Sequence, residues 1–196
     1  DRFVDEACSY DEFGAAMVAD QLRTGANTPC WLVFDATFRA NYTAGGFMPS
    51  ALMPDWLISA DVWDHYLFKA DTLYSLAQKI HVPFDTLKQT VAMMNDYAKT
   101  GVDPEFGRGG NPYDRMFGDP GVTPNPCLGA IETAPYYAVA INLGDLGTKG
   151  GLKADACARV VDGNGQPIPN LYAAGNNTGS PFGNLYPGAG GTIGRA

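Results

Sequence analysis

Three observations predict an α+β fold for this chain of 196 residues. Apolar residues recur with the period of a helix in segments before residue 102, and two short apolar runs are typical of buried strands. A turn signal between β-prone residues lies near the C-terminal end. The apolar content of 45% is sufficient for a core. The length suits one domain, or one domain with part of another.

The first predicted elements are a helix and a buried strand. Residues 10–24 carry apolar residues at helical spacing, and Gly25 is a plausible end for this helix. Residues 30–34, CWLVF, form a short apolar run that is typical of a strand in the interior. Residues 43–62 are rich in Gly, Pro and Met without a clear period, and we therefore predict a loop there.

A pair of helices is predicted next. Asp71 can cap the first, which extends to Ile80, and Pro83 suits the first turn of the second, which ends near Gly101. Because the link between them is short, the two should pack as an αα-hairpin. Their apolar faces are interpreted as core: Leu73, Leu76, Ala77 and Ile80 in the first, and Leu87, Val91, Met94 and Tyr97 or Ala98 in the second.

The sequence of the C-terminal half predicts a long irregular segment followed by strands. Residues 101–135 form a long stretch without a period, which is uncommon inside a domain, and its aromatic residues argue against disorder. Residues 136–141, YYAVAI, are typical of a strand. The segment around residues 162–165, DGNG, predicts a β-hairpin.

Composition excludes several classes of function. The net charge of −8 argues against nucleic acid or an anionic membrane surface as a partner. No apolar run reaches the roughly 18–20 residues that a membrane helix needs, and the acidic start does not resemble a signal peptide. The four cysteines form no C-x-x-C motif and lie far from both histidines, so we expect no metal site and reduced thiols in a cytoplasmic protein. Because the sequence does not begin with Met, we expect it to be part of a longer chain.

Three glycine-rich pieces are the candidates for ligand contact: residues 144–151, 173–176 and 186–194. Taken singly, each is most simply a tight turn. Residues 173–176, AAGN, follow a predicted strand, and such a strand end is where an open α/β sheet admits a ligand. The stretch YPGAGGTIG would present backbone N–H groups to an anionic or carbonyl oxygen.

Among the side chains that could act in catalysis, tyrosine is the best candidate type. Neither histidine lies in a motif that supports a Ser-His-Asp or Cys-His arrangement. The neighbouring carboxylates of Asp11 and Glu12 are interpreted as a solvated helix start. The ten tyrosines, several of them beside Gly or Pro, can donate a hydrogen bond to a carbonyl or act as an acid or base, although packing is the commoner role of any one of them.

These motifs in this order resemble the 3-ketosteroid dehydrogenases, which belong to the flavoprotein superfamily that also contains fumarate reductase and succinate dehydrogenase. The resemblance is carried by GDLGTKGGL, ARVVDGNGQPIPNLYAAGN and YPGAGGTIG, by RFVDEACSYDEFGAAM and FGRGGNPYDRMFGDPGVTPNP, and by the helix pair; together these span essentially the whole chain. It implies FAD as cofactor, a small-molecule ketone or steroid as substrate, and neither metal nor nucleic acid as partner. We further expect at most weak membrane association, through an apolar substrate.

The resemblance also implies a domain organisation. Residues 1–140 would be a substrate-capping domain with its flanking segment, built from a mixed sheet and the helix pair. Residues 141–196 would be the C-terminal, incomplete part of an FAD-binding α/β domain. The dinucleotide fingerprint G-x-G-x-x-G is absent, so the chain is expected to be a fragment that is inactive alone. Sheet edges and apolar patches that this leaves exposed would favour self-association.

The resemblance implies catalytic and flavin-binding roles for individual residues of this sequence. Tyr186 matches the tyrosine that polarises the substrate 3-keto oxygen, and Gly190 matches the glycine whose N–H assists it, which together make an oxyanion hole for a developing enolate. A second tyrosine would remove the adjacent proton while a hydride leaves to flavin N5. Tyr10 aligns best with this base, and Tyr42 is an alternative. The implied flavin contacts are Gly175, Asn176, Gly191, Thr192 and Ile193.

Two other functions stay open. A flavin-dependent enoate reductase of the fumarate or urocanate type would need cationic clamps for carboxylates, for which Arg39, Arg108 and Arg115 are available. Fumarate reductases usually carry a histidine-containing stretch where this chain has LGDLGTKGG, and its absence favours a ketone. The remaining alternative is a binding or interaction domain without catalysis of its own.

Overall fold

The computed structural model describes residues 1–145, 147, 150–183 and 185–191. The chain divides into two compact units. The first unit contains Asp1–Cys8 and Ala16–Leu143, and the second contains Ser9–Ala15 and Gly144–Ala196. These bounds do not test the predicted assignment of capping and FAD-binding domains, which stays a prediction.

The first unit is built on a small sheet. Strands β1 (Cys30–Phe34), β2 (Leu67–Ala70) and β3 (Tyr136–Ile141) are ordered β1-β3-β2, and β3 pairs with both neighbours in the antiparallel sense. The predicted mixed sheet is therefore wrong on this point. β1 and β2 run in the same direction but are separated by β3, so these two strands are not hydrogen-bonded to each other. Strand β2 was not predicted from the sequence.

Five α-helices accompany the strands in the described chain: α1 (Tyr10–Thr24), α2 (Ala36–Asn41), α3 (Leu73–Lys79), α4 (Phe84–Thr100) and α5 (Pro112–Met116). The predicted ends of α1 and α4 are confirmed, because Gly25 and Gly101 both have φ in the left-handed region that ends helices. The cap of α3 is Thr72, whose side chain accepts from the Ser75 N–H, and not Asp71 as predicted. Pro83 likewise precedes α4 rather than opening it.

The core lies on both faces of the sheet, because successive side chains of a strand point to opposite sides. One face buries Leu67 and Val139, and the other buries Ala138 against α3. The predicted apolar faces of the helix pair are largely buried: Leu76, Ala77, Ile80, Val91, Met94 and Ala98. None of the four cysteines, all of them described, is joined in a disulfide.

The long segment 101–135 is ordered by side chains that bond to backbone groups. Asn125 donates from Nδ2 to the carbonyl oxygens of Gly101 and Arg108. The cap of α5 is Asn111, which accepts from the Asp114 N–H. The segment therefore has a structural role in the first unit, in agreement with the prediction that it is not disordered.

The second unit contains the predicted hairpin. Strands β4 (Arg159–Val161) and β5 (Pro167–Tyr172) pair antiparallel, and the Gly165 N–H donates to the Asp162 carbonyl within the turn. A 3-10 helix, Gly175–Asn177, follows β5 closely. The first residues of α1 belong to this unit as well.

Candidate active site

The start of α1 is fixed by a reciprocal cap. The Ser9 hydroxyl accepts from the Glu12 N–H at 3.2 Å and donates to Glu12 Oε2 at 2.9 Å. The Ser9 N–H also donates to Glu12 Oε2, at 3.3 Å. This capping box satisfies N–H groups that a helix start otherwise leaves without partners. It holds the turn that carries Tyr10 and Asp11.

Two of the predicted catalytic residues meet at this turn. The rings of Tyr10 and Tyr186 lie 5.6 Å apart between centroids, with their planes tilted by 40°. Asp11 Oδ2 accepts from the Tyr186 N–H at 2.9 Å. Tyr10 is 51% exposed, so its side chain remains accessible beside the half-buried Tyr186. The second unit thus brings together side chains from opposite ends of the chain.

The glycine loop after Tyr186 closes a turn. The Gly191 N–H donates to the Gly188 carbonyl at 3.1 Å, and a Cβ at position 191 would lie 3.4 Å from Tyr186 Cζ. Gly190 has φ of +90°, and no described atom lies within 4 Å of where its Cβ would be. No acceptor for the Gly190 N–H is found among the described residues.

A second backbone contact joins two of the glycine-rich pieces. The Leu152 N–H donates to the Asn177 carbonyl at 2.8 Å, and the Gly179 N–H donates to the Leu152 carbonyl at 3.1 Å. A Cβ on Gly151 would come within 2.4 Å of the backbone of Thr178, so only glycine permits this approach. Gly175, with φ of +58°, is the first residue of the 3-10 helix that leads to Thr178.

The remaining predicted site residues lie in two parts of the chain. Gly175 and Asn176 lie in the 3-10 helix that follows β5. Thr192 and Ile193 lie outside the described residues. The structure adds Asp11, which sequence reasoning interpreted as solvated; nothing in the sequence indicates its bond to Tyr186, because the two are 175 positions apart.

Tyr42, the alternative base, belongs to the first unit. Its hydroxyl donates to Asp119 Oδ2 at 2.5 Å. This hydrogen bond to a carboxylate raises the pKa of Tyr42, and burial raises it further. A raised pKa keeps the hydroxyl protonated, which is the wrong state for a proton acceptor.

The three arginines proposed as carboxylate clamps already have partners in the first unit. Arg39 is buried, donates to the carbonyl oxygens of Met48 and Met53, and pairs with Asp55. Arg108 pairs with Glu6, and Arg115 donates to the Gly109 carbonyl. Each of the three guanidinium groups therefore already uses at least one donor within the first unit.

The described residues form neither a candidate membrane helix nor a candidate metal site. No described helix combines the length and the apolar character that a membrane crossing requires. Across the same residues, no group of three or more His, Cys, Asp or Glu side chains is arranged to hold a metal ion. The expectations of a metal-free, cytoplasmic protein stay predictions.

Comparison with known proteins identifies the family. The model of the family described as FAD binding domain matches residues 1–193. The chain belongs to this FAD-binding family. The cofactor of the family is FAD, as the resemblance implied.

Three relatives of this FAD-binding chain are informative. A 3-oxosteroid 1-dehydrogenase of Mycolicibacterium smegmatis is 42% identical over 100% of the chain and 34% of the relative. A 4-oxocyclohexanecarboxylate 2-dehydrogenase of Sinomonas cyclohexanicum is 39% identical over 98% of the chain and 32% of the relative. The crystal structure of a 3-ketosteroid Δ1-dehydrogenase from Sterolibacterium denitrificans, in complex with 1,4-androstadiene-3,17-dione, matches 99% of the chain and 34% of its own length, with 48% identity and a TM-score of 0.90. The chain therefore has the fold of a segment of a flavoprotein dehydrogenase and spans about a third of the length of these relatives.

Part of the implied flavin site lies in the described chain. Around Gly190 no described atom lies within 4 Å of the position that a Cβ would occupy, which leaves room for a ligand to approach this backbone. At Gly191 a Cβ would instead lie 3.1 Å from the Gly188 carbonyl oxygen. Asn176 has an amide that can both donate and accept. The assignment of Gly175, Asn176 and Gly191 as flavin contacts stays a prediction.

Proposed function

We propose that the protein uses FAD to dehydrogenate a 3-ketosteroid or a similar cyclic ketone, and that this chain supplies both tyrosines of the reaction. The observation that carries the proposal is the Tyr10–Tyr186 pair in the same unit as the open amide of Gly190. The names of the relatives support it, because they include dehydrogenases of an oxosteroid and of an oxocyclohexane acid.

Tyr186 and Gly190 stabilise the substrate carbonyl. The Tyr186 hydroxyl and the Gly190 N–H both donate to the ketone oxygen, on which negative charge develops as the enolate forms. Donors that are already aimed at such a charge need no rearrangement during the reaction, and removal of one costs on the order of 10²–10³ in kcat. The turn from Gly188 to Gly191 holds the amide in place.

As the tyrosinate, Tyr10 accepts the proton from the carbon next to the carbonyl and becomes a neutral phenol. The electron pair of that C–H bond enters the enolate and then the new C=C bond, as a hydride leaves the neighbouring carbon. FAD supplies the hydride acceptor when it is bound. The exposed position of Tyr10 allows its phenol to return the proton to water.

The domain roles follow from the same proposal. We assign residues 1–140, with their flanking segment, to the substrate-capping part and residues 141–196 to the FAD-binding part. The first turn of α1 groups with the second of these regions in the compact units. The proposed base thereby belongs to the same unit as the proposed oxyanion donors.

The test is Tyr186→Phe in the full-length, FAD-loaded protein. We expect kcat with a 3-ketosteroid to fall on the order of 10²–10³-fold, because one oxyanion donor is lost. Turnover would be measured with an artificial electron acceptor, and FAD content by flavin absorbance. Wild-type turnover in the variant would overturn the proposal.

The substrate class separates this proposal from the enoate reductase. The wild-type protein would be assayed with a saturated cyclic ketone plus an oxidised dye, and with fumarate or urocanate plus a reduced dye. We expect turnover with the ketone, since the three candidate arginines are engaged within the first unit. Turnover with the enoate alone would favour the alternative.

A further inference from the structure

We infer that Asp11 is a positioning residue, which fixes the backbone of Tyr186 relative to the helix turn that carries Tyr10. This inference rests on the proposed function, because it assigns Asp11 a role through Tyr186. It goes beyond that function by naming a side chain that contacts neither substrate nor cofactor in the proposed reaction.

The two neighbouring carboxylates at the start of α1 do different things. Glu12 closes the capping box with Ser9. Asp11 instead accepts the Tyr186 N–H at 2.9 Å and is half-buried. A hydrogen bond from a backbone N–H to an ionised carboxylate is stronger than one between neutral groups. Asp11 therefore does two things: it places a negative charge at the N-terminus of α1, and it binds the backbone N–H of Tyr186.

Two backbone hydrogen bonds on either side of Tyr186 are local. The Leu185 N–H donates to the Phe182 carbonyl, and the Gly191 N–H donates to the Gly188 carbonyl. Each of these two bonds joins residues three positions apart. The bond to Asp11 joins Tyr186 to a residue 175 positions away, next to Tyr10.

The position of the Tyr186 backbone determines how far the oxyanion donors lie from the base. The Tyr186 side chain packs against Gly191 and against the Tyr10 ring, so a shift of the Tyr186 backbone moves the oxyanion donors relative to the base. Misplacement of reacting groups by about 1 Å can lower a rate by about 10²-fold. Asp11 thus sets the spacing between the groups that polarise the ketone and the group that removes its proton.

Three variants of the full-length, FAD-loaded protein test the inference. Asp11→Leu removes the acceptor, Asp11→Asn keeps an acceptor oxygen without the charge, and Glu12→Gln is the control that removes a charge from the same turn but keeps the cap. We expect kcat with a 3-ketosteroid to fall roughly 10–100-fold in Asp11→Leu and less than about 5-fold in Asp11→Asn and in Glu12→Gln.

Two further readouts separate positioning from a loss of folding. Hydrogen exchange at the Tyr186 amide should speed up in Asp11→Leu and stay protected in Asp11→Asn, with exchange in β1–β3 unchanged in both. In a double-mutant cycle, Asp11→Leu should cost less than about 3-fold when added to Tyr186→Phe, because both changes act on the same group.

The outcomes are distinguishable. If Tyr186→Phe alone keeps wild-type turnover, the proposed function fails. If Tyr186→Phe lowers turnover but Asp11→Leu leaves both kcat and the exchange of the Tyr186 amide unchanged, only the positioning role is overturned. Fully multiplicative effects of the two changes would also overturn it, since Asp11 would then act independently of Tyr186.

Discussion

At the scale of single residues, the two tyrosines considered as base have different surroundings. Tyr10 is half exposed and lies against the Tyr186 ring. Tyr42 is bound to the carboxylate of Asp119, and this bond raises its pKa. A base must give up its proton before it can accept one, so the bond to Asp119 works against Tyr42. These environments favour Tyr10 for the proposed reaction.

Removing the hydroxyl group from Tyr10 and from Tyr42 should have different effects on kcat. Tyr10→Phe should lower kcat on the order of 10²–10⁴-fold, because a positioned base is lost, whereas Tyr42→Phe should change kcat less than about 5-fold. Both would be measured with the same ketone at several pH values, with FAD content as the control for folding. A larger loss in Tyr42→Phe than in Tyr10→Phe would reverse the assignment.

At the scale of elements, an ion-pair network joins the N-terminal segment to the loop that follows α4. The Arg2 side chain is 5% exposed and donates to both carboxylate oxygens of Asp103, at 2.9 and 2.7 Å. It also pairs with Glu6, and its guanidinium lies 4.9 Å from the centre of the Phe106 ring. Such bidentate pairs give geometric specificity as well as energy.

The pKa of Asp103 follows from this environment. Burial alone would raise it, but the hydrogen bond from Arg2 and those from the N–H groups of Phe106, Glu105 and Arg108 outweigh burial and lower the pKa to about 2. A pKa below that of the unfolded chain means that the ionised form stabilises the fold. This contribution is present above about pH 4, the usual pKa of Asp, and is lost as the pH falls from there to about 2.

Asp103→Asn should therefore weaken both stability and its pH dependence. At pH 7 the free energy of unfolding should fall by about 2 kcal/mol, and between pH 4 and 2 the variant should lose less stability than the wild type. Denaturant midpoints across this range would be the measurement. Asp96→Asn is the matched control, because Asp96 is an exposed partner of Lys99 in α4 and such pairs contribute little. Equal pH profiles for wild type and Asp103→Asn would contradict the prediction.

At the scale of the whole molecule, the second unit exposes much of its apolar surface. In strand β5 the side chains of Ile168, Leu171 and Tyr172 are all exposed in this chain. Exposed apolar strand residues favour pairing with further protein. The expectation of self-association rests on this surface and stays a prediction.

Cofactor affinity should depend on more than these 196 residues. The sequence contains no G-x-G-x-x-G fingerprint, which binds the pyrophosphate of a dinucleotide at a helix start. A polypeptide of residues 1–196 should therefore bind FAD at least 10²-fold more weakly than the full-length protein. Titration followed by flavin fluorescence would measure both affinities. Equal affinities would contradict this prediction, because they would show that the chain alone is sufficient for FAD binding.

Local elements were predicted well where one strong local signal determined them. The ends of α1 and α4 agree with the structure because glycine adopts a positive φ at little cost, and the hairpin turn agrees because DGNG favours it. The α3 cap was displaced by one residue because Asp71 and Thr72 are both good caps, and propensity alone does not choose between them. Strand β2 is only four residues long, too short for a period to stand out.

The sequence by itself determined the family, the glycine motifs and the tyrosines that the resemblance marks, because these depend on residue identity and order along the chain. Only the tertiary structure decided which strands pair, that Gly151 lies against Thr178, and that Tyr10 and Asp11 contact Tyr186. These are contacts between residues far apart in sequence. No local period or propensity encodes such contacts, since they form only when whole elements pack together.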